Sequence, residues 1–179
     1  YYPRWSPDGK RIFLRWVKQN EDPPVQIVYV PAAGGNVTNV PWPESALMSR
    51  VPGGGHNISP DGRKLVVSAA EKPYNSEKFM DLRVIPLDDG LPVRLTDDES
   101  HETYPCWSPD GQWIAFIDWH KTSEDGGFDA IYRIPAIGGK ATLISSGKDS
   151  VGAGAIAFSP NGKRIAFFSE DMIKTIPVE

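Results

Sequence analysis

The sequence predicts an all-β protein assembled from one antiparallel unit repeated four times, and three observations point there. One tetrapeptide recurs, as Ser6-Pro-Asp-Gly9, Ser59-Pro-Asp-Gly62, Ser108-Pro-Asp-Gly111 and Ser159-Pro-Asn-Gly162, at intervals of roughly 50 residues. Each copy leads into a short β-branched or aromatic run, the pattern of a strand. The 179 residues include 17 Gly and 17 Pro, a level that interrupts any long helix.

The elements come in a fixed order. After each tetrapeptide come Ile12–Val17, Leu65–Ala69, Trp113–Ile117 and Ile165–Ser169. A further strand ends in proline each time: Ile27–Pro31, Leu82–Pro86, Ile131–Pro135 and Ile173–Pro177. After three of these a glycine turn opens a last short strand, Asn36–Val40, Pro92–Thr96 and Ala141–Ile144. With the apolar stretch that precedes each tetrapeptide, the unit is a four-stranded meander. Such meanders repeating at this interval are blades of a β-propeller. The tetrapeptide is then the hairpin between the inner and second strands. There Pro pre-sets φ, Asp or Asn bonds backbone amides and Gly takes the left-handed conformation. Four side chains at identical turns are structural rather than catalytic, and Asn161 in the fourth copy fits, since a turn accepts either residue.

Composition narrows the partners. A chain that is 40% hydrophobic and 23% charged can build a packed core. The net charge is −4 and no element concentrates Lys or Arg, so nucleic acid is not an expected partner. No apolar run approaches the ~20 residues of a membrane helix, so no membrane insertion is expected, and no charged-then-apolar leader opens the sequence. The single cysteine, Cys106, lies in the apolar stretch Tyr104–Trp107 and reads as a buried small hydrophobe. Trp5, Trp107 and Phe158 recur at one repeat position beside the turn and are expected in the core.

Trp107-Ser-Pro-Asp-Gly-Gln-Trp-Ile-Ala-Phe116, followed by Ile131–Ile134 and Gly138-Gly139, resembles the WD40-like PD40 repeat of TolB-like β-propellers. Trp5–Gly9 and Phe158–Gly162 resemble it as well, whereas the second unit has Ile58 where the family places an aromatic, implying a less filled inner strand. The resemblance covers the whole chain. It implies a ring of about six blades and a periplasmic or other extracytoplasmic location. It implies three settings for function: protein binding as in TolB, a metal-dependent oligogalacturonate lyase, or the non-catalytic propeller of a prolyl-oligopeptidase-type peptidase.

The blades lay out over residues 3–41, 54–97, 104–145 and 155–179, as a single propeller domain or fragment whose last blade lacks its outer strand. Blades 1 and 4 would then each carry an uncovered apolar face, and such patches predict association. Either a longer propeller continues the ring, or a homodimer completes an eight-bladed one.

Candidate binding residues lie where the inner strands begin and the loops between second and third strands emerge. They are His56, His101, Glu102, His120, Trp42, Tyr74 and Trp119, with the glycine run Gly53–Gly55 beside them. The lyase resemblance implies a histidine-held metal here and a basic residue such as Arg50. The residues themselves supply no zinc spacing, since His101-Glu-Thr-Tyr-Pro105 has proline where a second helical histidine belongs. Gly-x-Ser-x-Gly is absent. Gly152-Ala-Gly-Ala-Ile-Ala157 opens a strand rather than the helix a dinucleotide site needs. The acidic stretches Asp97–Glu99 and Glu124-Asp125 read as solvated loops. The sequence therefore points to a binding or interaction module with a protein partner, no catalytic residue, no metal and no cofactor.

Overall fold

A computed structural model describes residues 3–17, 25–40, 46–47, 55–71, 79–119, 129–145, 151–152 and 154–178. Among them are sixteen strands and no helix. The first blade is β1 (Arg4–Trp5), β2 (Arg11–Val17), β3 (Val25–Pro31) and β4 (Thr38–Asn39), hydrogen-bonded in that order. The second holds β5 (Ala46–Leu47), β6 (His56–Ile58), β7 (Lys64–Glu71), β8 (Asp81–Pro86) and β9 (Val93–Arg94). Here β7 pairs with both β6 and β5, and β5 falls in the stretch between the first two blades expected from the repeat. The third is β10 (His101–Trp107), β11 (Trp113–Trp119), β12 (Ala130–Pro135) and β13 (Thr142–Leu143). The fourth is β14 (Ala157–Phe158), β15 (Arg164–Ser169) and β16 (Met172–Pro177), with no outer strand among the described residues.

The repeated turn fixes a repeated register. Asp61 Oδ1 accepts the Ser59 hydroxyl at 2.5 Å and the Arg63 amide at 3.0 Å, while Ser59 Oγ accepts the Lys64 amide at 2.9 Å. Asp8, Asp110 and Asn161 do the same in their blades. The serine hydroxyl, then the backbone amide, holds each of the three aspartates below the usual carboxylate range. Gly9, Gly62, Gly111 and Gly162 close the turns at φ of 68 to 72°, the left-handed region open to glycine. The second residue after each turn glycine then faces the proline that ends the third strand: Arg11 opposite Pro31, Lys64 opposite Pro86, Trp113 opposite Pro135 and Arg164 opposite Pro177. Proline is tolerated there because the ladder ends with it.

Strand alternation gives each blade a front and a back, and the core is the set of seams between one back and the next front. Phe13 and Ile27 of blade 1 meet Ile58, Leu65 and Val67 of blade 2. Val66 and Leu82 of blade 2 meet Trp107, Ile114 and Phe116 of blade 3. Ala115, Ile117 and Ile131 of blade 3 meet Ile165 and Phe167 of blade 4. Cys106 is buried in this last seam. Ile58 is buried against Phe13, so the missing aromatic leaves no underfilled inner strand. Trp5 departs from expectation: Trp107 at the same repeat position is buried, but Trp5 is 61% exposed. Its side chain shares the front of blade 1 with its cross-strand partner Ile12, and among the described residues no blade lies before that face.

Candidate functional site

The candidate residues sit where inner strands begin. His56 is the first residue of β6 and His101 the first of β10. The inner strand of blade 3 thus starts ahead of residue 104. It accommodates the extra length by a bulge between Thr103 and Cys106, with Tyr104 at φ 51°. Pro105 lies within that bulge, where a missing amide costs the ladder least. The Glu102 amide donates to the Met80 carbonyl at 2.9 Å, tying blade 3 to blade 2.

Alternation then separates the candidates. His101 lies opposite Trp119 in the register, and the half-buried imidazole packs on the Phe79 ring, centroids 5.3 Å apart. Trp119 is half-buried beside the seam of blades 3 and 4. Glu102 lies opposite Asp118 on the other face, fully buried toward blade 2. His56 lies opposite Val67, turned into the seam of blades 1 and 2 and only 2% exposed. Trp42, Tyr74 and His120 lie outside the described residues, as do Arg50 and Gly53-Gly54. Among the described residues no three of His, Cys, Asp and Glu are grouped so as to hold a metal ion.

Electrostatics reflect this burial. His56 is pushed down to about 4, by burial first and then by the Arg4 and Arg15 charges. Glu102 is pushed up to about 10, by burial first and then by Asp98, to which it is hydrogen-bonded. The Ser100 hydroxyl bridges the two carboxyls, 3.1 Å from Glu102 Oε1 and 3.2 Å from Asp98 Oδ1. The Ser68 hydroxyl of blade 2 donates to the Glu102 carbonyl. At neutral pH His56 is therefore an uncharged imidazole and Glu102 an uncharged acid.

The chain matches the TolB beta propeller domain family, PD40, over residues 1–176. It belongs to that family. The matched span includes all four Ser-Pro-Asp/Asn-Gly tetrapeptides of the chain. Atu1656 of Agrobacterium fabrum, an uncharacterized protein, is 26% identical over 145 residues, which are 81% of this chain and 43% of that protein. A TolB candidate from Agrobacterium tumefaciens superposes with a TM-score of 0.67 at 23% identity, over 96% of this chain and 58% of that one. An oligogalacturonate lyase in complex with manganese superposes with a TM-score of 0.69 at 15% identity, over 98% of this chain and 49% of that one. At such identities the two structures show the shared propeller fold and nothing of its chemistry. The chain spans about half the length of these relatives.

Sequence reasoning missed the Asp98–Ser100–Glu102 knot and the ion pair between Arg94 Nη2 and buried Asp81 Oδ2 at 2.8 Å. Asp98 reads as part of a solvated acidic loop because its partner, Glu102, is turned inward only by the position of β10. No local signal in the PD40 repeat marks that.

Proposed function

We propose that this PD40 chain is a non-catalytic binding module, a protein-interaction scaffold that presents the faces at the two ends of its blade stack. The observation that carries this is the exposure of side chains whose repeat counterparts are buried. Phe168 and Ile173, cross-strand partners on the back of blade 4, are 43% and 77% exposed. Ile117 and Ile131 hold the same places in blade 3 and are fully buried against blade 4. Trp5 and Trp16 lie exposed on the front of blade 1, and tryptophan is a residue type that anchors interfaces.

Each open face has the shape of half a blade seam, so the partner it fits is another PD40 blade. A second copy supplies one of each kind: front of blade 1 against back of blade 4, twice, closing an eight-bladed ring within the size range of propellers. An extracytoplasmic location is part of this reading and rests on the family alone.

Light scattering on the purified chain at micromolar concentration tests the pairing. A particle of twice 19.7 kDa is the expected mass. Phe168→Asp and Ile173→Asp would each return a folded monomer, because either charge would be buried unpaired in the seam. A wild-type chain that stays monomeric and folded at that concentration overturns the second-copy partner.

A further inference from the structure

The inner end of the seam between blades 1 and 2 gathers three basic side chains, two of which, Arg4 and His56, bury nitrogens that no hydrogen-bond partner meets. Arg4 on β1 lies opposite Phe13 in the register, and Arg15 comes two residues after Phe13 along β2, so all three side chains share the back of blade 1. His56 lies opposite Val67 on the front of blade 2, and Val67 packs with Phe13. The two guanidinium groups and the imidazole therefore enter one seam from its two walls. Neither ring nitrogen of His56 meets a partner at hydrogen-bond geometry, although the Phe13 backbone approaches it. Arg4 Nε is buried without a hydrogen-bond partner, and no carboxylate pairs with Arg4 among the described residues.

A buried donor without an acceptor is costly, more so when charged, so Arg4 and His56 are stabilised by whatever acceptor they take up. We infer that Arg4 and His56, with the Arg15 charge close by, form a binding site for a small carboxylate group at the inner end of the blade 1–2 seam. The chemistry favours a carboxylate over a bulkier oxyanion. A planar carboxylate has about four lone-pair positions, of which the fork of the Arg4 guanidinium and one imidazole N–H can fill three, leaving the last to water at the rim. Arg4 is half-buried and comes directly after exposed Pro3, so the group enters from the rim where the inner strands begin. The site does not depend on the pairing of open blade faces.

Histidine imidazole 15N resonances of the whole chain, followed at pH 7 while succinate is added at constant ionic strength, test the site. The expected result is a saturable shift of the His56 resonances at millimolar succinate, with those of His101 and His120 unmoved. Arg4→Met is expected to weaken binding at least tenfold and Arg4→Lys several-fold less, which separates loss of charge from loss of packing. A non-saturating response, equal shifts at all three histidines, or a His56 response unchanged in both variants overturns it. Chloride substituted for succinate at equal ionic strength must leave His56 unmoved, and a matching shift with chloride also overturns the carboxylate assignment.

Discussion

Leu82 and Ile173 occupy the same place in the repeat, each four residues before the proline that ends its third strand, yet Leu82 is fully buried and Ile173 is 77% exposed. The difference lies not in either residue but in the neighbour its blade has on that side. Blade 3 covers the back of blade 2 with Trp107, Ile114 and Phe116, while no described residue covers the back of blade 4.

That contrast makes the first prediction. Leu82→Ala should destabilise the chain by about 2–5 kcal/mol, the usual cost of a large-to-small change in a filled core. Ile173→Ala should cost the monomer under about 1 kcal/mol, since an exposed side chain leaves no cavity. Urea denaturation of the two variants under dilute, monomeric conditions checks the pair; equal losses would mean that something already covers blade 4.

The turn aspartates are acceptors, and Asn161 shows what they need to be. Asp61→Asn should lie within about 0.5 kcal/mol of the parent at pH 7, because Asn161 Oδ1 already accepts from Ser159 and Lys163 in the fourth turn. Asp61→Ala leaves the Arg63 amide and the Ser59 hydroxyl without their acceptor and should cost about 1–2 kcal/mol. The lowered aspartate contributes stability above its unfolded value and loses it as pH falls. Asp61→Asn should therefore also flatten the acid limb of the stability curve slightly, which thermal melts across pH 2–5 would register.

Glu102 and His56 tilt the pH dependence in opposite senses. The folded chain keeps the Glu102 proton to about 10, whereas the unfolded chain releases it near the ordinary glutamate value of 4.5. Stability from this group is thus greatest at acid pH and declines as pH rises through that window. The slope approaches about 1.4 kcal/mol per pH unit where only the folded state holds the proton. Glu102→Gln keeps an acceptor for Ser100 and a donor for Asp98, so it should be at least as stable as the parent at pH 8 and lack the slope. Denaturation midpoints from pH 5 to 9 decide, and a slope retained in the variant would refute the assignment.

His56 runs the other way. Its folded value of about 4 lies below the ordinary imidazole value of 6.5, so the unfolded chain takes a proton first and stability falls as pH drops from 6.5 to 4. His56→Gln should remove that fall while leaving the alkaline limb unchanged. Midpoints measured between pH 3.5 and 7 show whether it does.

Much of the fold was legible because it is local and repeated. Ser-Pro-Asp/Asn-Gly carries its own turn chemistry, and the next strand and the proline that ends the one after it are set by positions counted from that turn. The parts beyond local reading depend on a neighbouring blade. Trp5 and Trp107 are the same residue at the same repeat position, and only the presence of blade 2 in front of Trp107 buries it. The candidate site was legible as a region but not as a grouping. His56, His101 and Glu102 all lie at inner-strand starts, yet alternation turns His56 into the seam of blades 1 and 2 and puts Glu102 and His101 on opposite faces of blade 3. No spacing in the chain reports a facing that a single extra residue reverses.

The turns themselves stack, proline over glycine. Pro7 lies against Gly62, Pro60 against Gly111 and Pro109 against Gly162, with 3.6 to 3.8 Å from each proline Cδ to the point a Cβ would occupy. Gly9 has nothing within 4 Å. The array therefore has a direction, with an open glycine at its leading turn and Pro160 at its trailing one, which lies against no turn glycine among the described residues. Lengthening such an array by duplicating one unit would require no new joint, so the number of blades is written in how often the unit is copied and not in the shape of any one of them.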